Sequence, residues 1–257
     1  MNKTQRPWTP EQDAYLVAHY TDSQMAELAQ FLGHTVLGVH RRAQFLGLIR
    51  GRTLATQAIA HNYFSVLDIP LKAYVLGLLA ADGSVSSDEP RVRLALHTKD
   101  TGLVEMVRAE LAPLTPLRQR GNAVYLSISS PQIVADLARY SVVPRKSYCM
   151  EWPAHLPPSL HHAFLLGYFD GDGSLSMTRR RATGSMSPAW VLYGLPGFLS
   201  SAGKMIEAHT GVRVTGPTPD RRKAILHRID AYGDNARRID EWLHQDGLGL
   251  ARKRIPA

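Results

Sequence analysis

Cysteine is almost absent from the sequence, since Cys149 is the only one in 257 residues. A single thiol excludes an internal disulfide and a zinc site built on paired cysteines, and it is typical of a reducing compartment. No run of about 18 uncharged apolar residues occurs, so we expect no membrane span. The N-terminal segment shows no apolar stretch of the secretory-signal kind. These absences predict an intracellular, cytoplasmic protein with no membrane partner.

Acidic residues are also in short supply. The chain has 22 Asp and Glu but 30 Lys and Arg, so its formal net charge is +8, and protonation of its 11 His can raise this charge further. Such an excess favours a polyanionic partner, nucleic acid first. A nucleotide-binding glycine loop is missing too, because the Gly-Lys pair at Gly203 has no upstream glycine at P-loop spacing.

The first fifty residues have the pattern of three short helices. Thr9 and Gln12 form a capping-box pattern at the start of the first helix. Gly33 ends the second helix, Thr35 caps the third, and Gly47 ends it. This spacing predicts a helix-turn-helix module over residues 1–50, followed by a linker at 51–64.

The segments WTPEQDAYL and MAELAQFLGHTVLGVHRRAQFLGL resemble Myb/SANT-like helix-turn-helix modules. The resemblance implies that the third helix enters the major groove of DNA. Its exposed face offers Thr35, Val36, His40, Arg41 and Gln44, of which His40 and Arg41 are the candidate DNA-binding residues. The alternative is a module that only packs against, or docks on, protein.

One motif occurs twice. The stretch AYVLGLLAADGSVS at 73–86 recurs as AFLLGYFDGDGSLS at 163–176, displaced by ninety positions (172 minus 82). Each copy predicts an apolar helix with small residues four apart, Gly77 with Ala81 and Gly167 with Gly171. Residues four apart share a helix face, and a face of small residues lets two backbones approach closely. We therefore predict that the two helices pair along these faces.

Each predicted helix ends in an aspartate, Asp82 or Asp172. A carboxylate at a helix C-terminus faces the negative end of the helix dipole, and two carboxylates on paired helices repel each other. Hard divalent cations relieve both penalties. The pattern predicts a two-fold metal site able to act on phosphodiesters. We expect Gly83 and Gly173 to end the helices in the left-handed conformation.

Similar elements follow each copy of the motif. In the first half they are strands at 91–98, 116–120 and 123–129 and helices at 102–112 and 131–140; in the second they are strands within 175–193 and at 212–215 and 222–229 and helices at 197–211 and 234–245. The fold class is therefore α+β, with two pseudo-symmetric αββαββα halves at 65–150 and 151–257. One strand face packs under helices while the other forms a basic saddle.

The motif copies VLGLLAADG and LLGYFDGDG resemble those of the LAGLIDADG homing endonucleases, in the single-chain form with two motifs. The resemblance covers about residues 65–257. It implies a monomer with a pseudo-two-fold axis, a DNA duplex on the saddle, and double-strand cleavage at a long asymmetric target. It also implies Mg²⁺ as cofactor, with Mn²⁺ as a substitute.

The resemblance also assigns residues. The eighth motif position carries the metal-binding carboxylate, here Asp82 and Asp172, and Ala81 and Gly171 beside them are further candidate metal ligands. The sixth position is often Asp in the family, but this chain has Ala80 in the first copy and Asp170 in the second. Because this position is not the metal ligand, we expect Ala80 to be tolerated.

A basic residue near each scissile phosphate is a further feature of the family. The stretches VVPRKS and GLARKR supply Lys146 and Lys253, with solvated surface lysines as the alternative, and HTKD supplies Lys99, which has only Gly194 as its counterpart in the second half. The candidate DNA-binding residues on the strands and their loops are Arg91, Arg93, His97, Arg118, Arg120, Tyr125, Arg179, Arg213 and Arg228. Arginine at such positions can read guanine edges or bind phosphates.

Two other functions on the same fold stay open at this point. A DNA-binding regulator that no longer cuts DNA is favoured by the helix-turn-helix module but not by the presence of both Asp82 and Asp172. An RNA-splicing maturase would bind intron RNA without needing the aspartate pair.

Overall fold

The computed structural model describes residues 7–21, 23–48, 58–179, 184–220 and 225–256. The chain divides into two compact units, Met1–Gln57 and Ala58–Ala257. Across the described ranges, no helix combines the length and the apolar character that a membrane-spanning segment requires.

The smaller unit contains three helices, α1 (Pro10–His19), α2 (Met25–Leu32) and α3 (Val36–Phe45). The predicted capping box of Thr9 with Gln12 is present, Thr35 caps α3, and Gly33 ends α2 at φ 68°. The helices enclose a small core of their own, formed by Leu16, Tyr20, Leu28, Ala29, Leu32, Val39 and Ala43. An ion pair between Arg42 and Asp13 also joins α3 to α1.

The larger unit repeats one order of elements. The first repeat contains α4 (Pro70–Ala81), β1 (Gly83–Val85), β2 (Arg91–His97), α5 (Thr101–Leu111), β3 (Arg118–Arg120), β4 (Ala123–Ser129) and α6 (Pro131–Ala138). The second contains α7 (His161–Asp172), β5 (Gly173–Arg179), β6 (Met186–Gly194), α8 (Pro196–Thr210), β7 (Thr215–Pro219), β8 (His227–Tyr232) and α9 (Asp234–Leu243). The predicted α+β class and the αββαββα order of each half are confirmed.

Each repeat has one antiparallel sheet of four strands, in the orders β1-β2-β4-β3 and β5-β6-β8-β7. In β2 the side chains of Val92, Leu94 and Leu96 are buried, while those between them face outward. This alternation is the expected period of a strand with one face on a core. Helices pack against the inner face of each sheet, and the outward positions Arg93, Ala95 and His97 of β2 are exposed.

Helices α4 and α7 form the centre of the larger unit. A Cβ atom on Gly77 would lie 2.8 Å from the backbone nitrogen of Tyr168, and one on Gly167 would lie 2.9 Å from that of Leu78. The two helices therefore meet backbone to backbone, as the spacing of small residues predicts. Both helices are buried almost all round, which explains their uniformly apolar sequences.

The predicted left-handed conformation of Gly83 and Gly173, the glycines after the two motif aspartates, was wrong. Gly173 has an extended conformation, with φ −98° and ψ 167°, and Gly83 is not among the glycines with positive φ. The requirement is for space instead. A Cβ on Gly83 would lie 2.8 Å from the Cα of Leu79, and one on Gly173 would lie 2.5 Å from the carbonyl oxygen of Phe169.

The segment before α4 belongs in part to the larger unit. Tyr63 and Phe64 fall within the predicted linker at 51–64, yet both are buried in the core of the larger unit, and Phe64 is fully buried. Residues 51–57 of that linker lie outside the described residues.

Candidate active site at the ends of the paired helices

The two motif aspartates meet at the C-terminal ends of α4 and α7. Asp82 is the C-cap of α4, and Asp172 is the last residue of α7. Asp82 Oδ2 lies 2.7 Å from the point where a Cβ on Gly171 would be, so this carboxylate reaches onto the neighbouring helix. Both aspartates are exposed to solvent. The small residues on the paired faces of the two helices therefore allow the two carboxylates to come close together.

The electrostatics of this pair are unfavourable for two bare carboxylates. Partial desolvation, followed by the charge of Asp172, raises the pKa of Asp82 to about 6, although its side chain keeps access to solvent. Lys146 and Lys253 act in the opposite direction on the pKa of Asp82. The site therefore stabilises added positive charge.

Lys146 and Lys253 are buried, at 6% and 7% exposure, and are not the solvated surface lysines that were the alternative. Lys146 begins a short 3₁₀ turn (Lys146–Tyr148), and its Nζ donates to the carbonyl oxygen of Ala81 at 2.7 Å. Lys253 ends another such turn (Ala251–Lys253). Its Nζ donates to the carbonyl oxygens of Phe169, Asp170 and Gly173 at 2.9, 2.6 and 2.8 Å.

Each lysine thus neutralises the negative end of one central helix. Lys146 serves the end of α4 and Lys253 the end of α7, where unpaired carbonyl groups and the helix dipole favour a cation. Burial lowers the pKa of both ammonium groups. Asp172 opposes that decrease for the pKa of Lys146, and Asp170 opposes it for the pKa of Lys253.

Two cavities open beside the helix ends, and each contains one motif aspartate and one of these lysines. The first, of about 430 Å³, is lined by Asp82, Lys253 and Lys99 among others. The second, of about 390 Å³, is lined by Asp172 and Lys146. Each aspartate therefore shares a cavity with the lysine that is anchored on the other helix. We call these the Lys253 cavity and the Lys146 cavity.

The Lys253 cavity connects the helix ends to the open faces of the sheets. Its lining includes Ala95 and His97 of β2 and Ser174 of β5. These side chains lie on the outward face of their strands, opposite the buried positions. The carboxylates therefore open toward the surface that the sequence predicts to be a saddle.

The two cavities differ in polarity. Beside Lys99, the Lys253 cavity contains a two-bond ion pair from Arg252 to Asp100, with distances of 3.2 and 2.8 Å. The Lys146 cavity has Gly194 and is lined further by Tyr148, Met150, Leu195, Ile225 and Leu226. The asymmetry that the sequence indicates at Lys99 thus extends over the whole cavity.

Two hydrogen bonds of buried tyrosines are features that sequence reasoning missed. The Tyr168 hydroxyl donates to the carboxylate of Asp172, and the Tyr74 hydroxyl donates to Asp170 Oδ2 at 2.7 Å. The signal was present in the alignment of the two motif copies. In that alignment Tyr168 corresponds to Leu78 and Tyr74 corresponds to Phe164, so each hydroxyl occurs in one copy only.

The first sheet carries a basic outward face. Arg93 lies opposite Ser127 and next to Tyr125, whose ring its guanidinium covers at 5.1 Å from the centroid. Arg118 is paired directly with Tyr125 in the neighbouring strand. Six of the candidate DNA-binding residues share this face: Arg91, Arg93, His97, Arg118, Arg120 and Tyr125.

In the described part of the second sheet, fewer basic side chains lie on the outward face. Arg228 lies there, 3.8 Å from the buried carboxylate of Asp230, and its neighbours are mainly hydroxyl-bearing residues such as Ser174 and Tyr193. Arg179 lies four residues after Leu175 and shares its strand face, so strand periodicity places it on the side opposite Ser174.

The placement of Arg213 on a strand was wrong. Strand β7 begins only at Thr215, and the Arg213 guanidinium bonds Glu207 of α8 at 3.1 and 2.9 Å. The stretch from Thr215 to Pro219 pairs with β8 through a register shift, which the sequence alone does not indicate. The first part of the strand predicted at 222–229 lies outside the described residues.

In the smaller unit, His40 and Arg41 lie on α3 and are exposed. Thr35, Val36 and Gln44 are exposed as well, so the predicted open face of α3 is present. Their contacts with DNA stay a prediction.

The acidic groups fit a weakly protein-bound cation better than a closed metal cage. Among the described residues, no group of three or more His, Cys, Asp or Glu side chains is arranged to hold a metal ion. Mg²⁺ suits such a site, because it often binds one or two carboxylates and completes its shell with water and substrate phosphate. The Ala81 carbonyl oxygen already accepts from Lys146, which makes it a poorer ligand than the carboxylates.

No protein-family model matches the chain, and no curated protein matches it. Solved structures do. The meganuclease I-SmaMI bound to uncleaveable DNA is similar with a TM-score of 0.50 and 14% sequence identity, over 72% of this chain and 86% of that chain. The LAGLIDADG homing endonuclease I-GzeII in complex with its DNA target is similar with a TM-score of 0.51 and 11% identity, over 72% of this chain and 85% of that chain. The larger unit has the LAGLIDADG fold.

Proposed function

We propose that this chain is a divalent-metal-dependent DNA endonuclease that makes double-strand breaks at a long asymmetric site. The observation that carries the proposal is the arrangement of two cavities, each with one motif aspartate and one buried lysine held on the opposite helix. I-SmaMI and I-GzeII, described as DNA-bound nucleases, support the same reading.

The proposed reaction is hydrolysis of one phosphodiester in each cavity. A bound Mg²⁺ or Mn²⁺ would polarise the phosphate and lower the pKa of a coordinated water. Asp82 and Asp172 hold the positive charge at the helix ends. The water oxygen forms a bond to phosphorus as the bond from phosphorus to the 3′-oxygen breaks; the attacking water releases its proton to solvent, and the leaving oxygen takes one up from solvent. Each cavity acts on one strand.

In this proposal the lysines stabilise developing negative charge. Their ammonium groups are fixed by backbone carbonyls, so they need little rearrangement when charge builds up on the phosphate. Lys99 adds a further positive charge to the Lys253 cavity, and the described residues that line the Lys146 cavity include no basic side chain besides Lys146. A lysine on the surface would not have its ammonium group held in one position in this way.

The proposed DNA-binding surface is the pair of outward sheet faces. The arginines of the first sheet would contact guanine edges and phosphates, with Arg228 contributing from the second sheet. The exposed face of α3, with His40 and Arg41, would add contacts beyond the cleavage site and raise the effective concentration of the tethered nuclease. We further propose that one chain acts as a monomer, because it holds both motifs.

A cleavage library tests the proposal. Supercoiled plasmids with randomised inserts are incubated with the full chain and Mg²⁺, and the ends of linear products are sequenced. We expect one recovered site, cut in both strands by the wild-type chain and by Asp88→Asn, an exposed acid outside the site. The double variant Asp82→Asn/Asp172→Asn should leave the plasmids intact.

Cleavage in Mg²⁺ or Mn²⁺, together with binding assays on duplex DNA and intron RNA, separates the alternatives. Specific binding of duplex DNA with no cleavage in either metal would favour the regulator. Binding of intron RNA that is unchanged by the aspartate double variant would favour the maturase. Removing residues 1–57, the smaller unit, should weaken binding at the selected site while the two nuclease cavities stay complete.

A further inference from the structure

One carboxylate ties both central helices to the C-terminal tail. Asp170 Oδ2 accepts from the Tyr74 hydroxyl at 2.7 Å and from the backbone nitrogen of Leu250 at 2.9 Å. Tyr74 lies on α4, Asp170 on α7, and Leu250 beyond α9. Asp170 is 4% exposed and Tyr74 1%. Buried hydrogen bonds to a carboxylate are strong and directional, so this contact fixes the tail in place.

Leu250 is the residue from which the lysine-bearing turn starts. It is the N-cap of the 3₁₀ turn Ala251–Lys253, and its carbonyl oxygen accepts from the backbone nitrogen of Lys253 at 2.8 Å. A long lysine side chain has large rotamer entropy. Holding the turn at Leu250 therefore keeps the Lys253 ammonium over the end of α7.

Among the described residues, the Lys146 cavity shows no equivalent carboxylate contact. Ninety positions earlier, Ala80 stands where Asp170 stands, and a methyl group accepts no hydrogen bond. Phe164 occupies the position equivalent to Tyr74 and has no hydroxyl. The Lys146 turn instead follows Arg145, whose backbone is left-handed at φ 58°. The two lysines are thus placed by different means.

We propose that Asp170 is the positioning residue for Lys253, so that cleavage of one DNA strand depends on Asp170 while cleavage of the other strand does not. This inference rests on the proposed function. It gives the sixth motif position a role in the second copy that Ala80 cannot have in the first.

The experiment follows each strand separately. A duplex carrying the selected site is labelled with a different fluorophore on each strand and cut under single-turnover conditions with Mg²⁺. Lys253→Met and Lys146→Met first define which strand each lysine serves. Asp170→Ala is expected to slow cleavage of the Lys253 strand by about tenfold or more, with the other strand affected by less than about threefold.

Conservative variants separate position from charge and from stability. Asp170→Asn keeps an oxygen acceptor for Tyr74 and Leu250, so it should restore the Lys253 strand relative to Asp170→Ala. Its amide nitrogen would take the place of Oδ1, which has no partner among the described residues, so thermal melting should show lower stability. Asp170→Asn should therefore recover cleavage of the Lys253 strand although its thermal stability is lowered.

Tyr74→Phe serves where Asp170→Ala does not fold, because it removes one hydroxyl and leaves the helix packing. It should slow the Lys253 strand alone. The matched control is Tyr168→Phe, the same chemical change beside Asp172, which should slow the Lys146 strand instead.

Equal losses on both strands for Asp170→Ala and Tyr74→Phe would overturn the inference. So would an Asp170→Asn variant as defective as Asp170→Ala, and in both cases the nuclease proposal stands. Lysine variants that slow the same strand would contradict the assignment of one strand to each cavity, on which this inference depends. A wild-type chain that cuts no duplex would contradict the nuclease proposal itself.

Discussion

Lys146 Nζ donates a 2.7 Å hydrogen bond to the carbonyl oxygen of Ala81, the residue before Asp82. A residue 65 positions away in sequence thus places a buried ammonium at the end of α4. The contact neutralises the helix end and at the same time puts a cation in the cavity that Asp172 lines. One side chain therefore links the stability of the central helix to the proposed chemistry.

Lys146→Met should separate these two roles. Methionine has a similar length without the charge, but it leaves the Ala81 carbonyl oxygen without its donor, so we expect the free energy of unfolding to fall by about 1–3 kcal/mol. Cleavage of the strand served by the Lys146 cavity should fall by about 100-fold, the size seen when one preorganised donor is removed. Single-turnover cleavage and thermal melting measure the two effects.

Lys204→Met is the control, because Lys204 is an exposed lysine on α8. It should leave both rates at the wild-type value. A Lys146→Met protein that cuts both strands normally would contradict the proposed role and leave Lys146 as a helix cap.

The seam between α4 and α7 makes a strong prediction about stability. In Gly167→Ala, the new Cβ would meet the Tyr74 carbonyl oxygen and lie 2.9 Å from the Leu78 nitrogen. Backbone atoms cannot rotate away as side chains can, so we expect a loss of more than about 3 kcal/mol in the free energy of unfolding. Chemical denaturation gives this value.

Gly102→Ala provides a matched comparison on α5, where a Cβ would have nothing within 4 Å. Alanine in an open helical position should stabilise the protein by about 0.5–1 kcal/mol. If both variants unfold at the wild-type denaturant concentration, the close approach of the two helices is contradicted.

The sequence predicts those features of the site that depend on local pattern. The helix pair, its small faces and the two aspartates follow from residues four apart on a helix, and the basic face of the first sheet follows from simple alternation. The buried anchoring of the lysines does not, because it depends on contacts between Lys253 and residues 80 or more positions away. Arg213 was misplaced because the start of β7 is set by its pairing with β8, which has a register shift.

The raised pKa of Asp82 predicts how stability depends on pH in the absence of metal. The folded-state pKa of about 6 lies above the ordinary aspartate value of 3.8, so folding favours the protonated carboxyl. The stability that the protonated Asp82 carboxyl contributes is fully present below pH 3.8 and is lost as the pH rises through about 6. Asp82→Asn, which cannot ionise, should match wild type near pH 4 and become the more stable protein above about pH 6.

The expected difference is about 1 kcal/mol once solvent screening is allowed for, or about 2–4 °C in Tm. Thermal melts in EDTA from pH 4 to pH 8 measure it. Added Mg²⁺ should raise the Tm of the wild-type protein more than that of Asp82→Asn, since a ligand stabilises the state that binds it. A variant that is less stable than wild type at pH 8 in EDTA would show that the carboxylate is not under electrostatic strain.

The unequal charge of the two sheets predicts where binding energy comes from. Arg93 lies over the Tyr125 ring on the open face of the first sheet, whereas Arg213 is held by Glu207 away from the second sheet. Each phosphate contact releases about one counterion, so Arg93→Ala should weaken DNA binding and reduce the slope of log K against log salt by about 1. Arg213→Ala removes the same formal charge but should leave the slope unchanged.

Equilibrium binding of the selected duplex in EDTA, at salt concentrations from 50 to 200 mM, compares the two variants over the range where this effect is large. If both variants shift the slope equally, only the net charge matters, and the first sheet has no special place in DNA recognition.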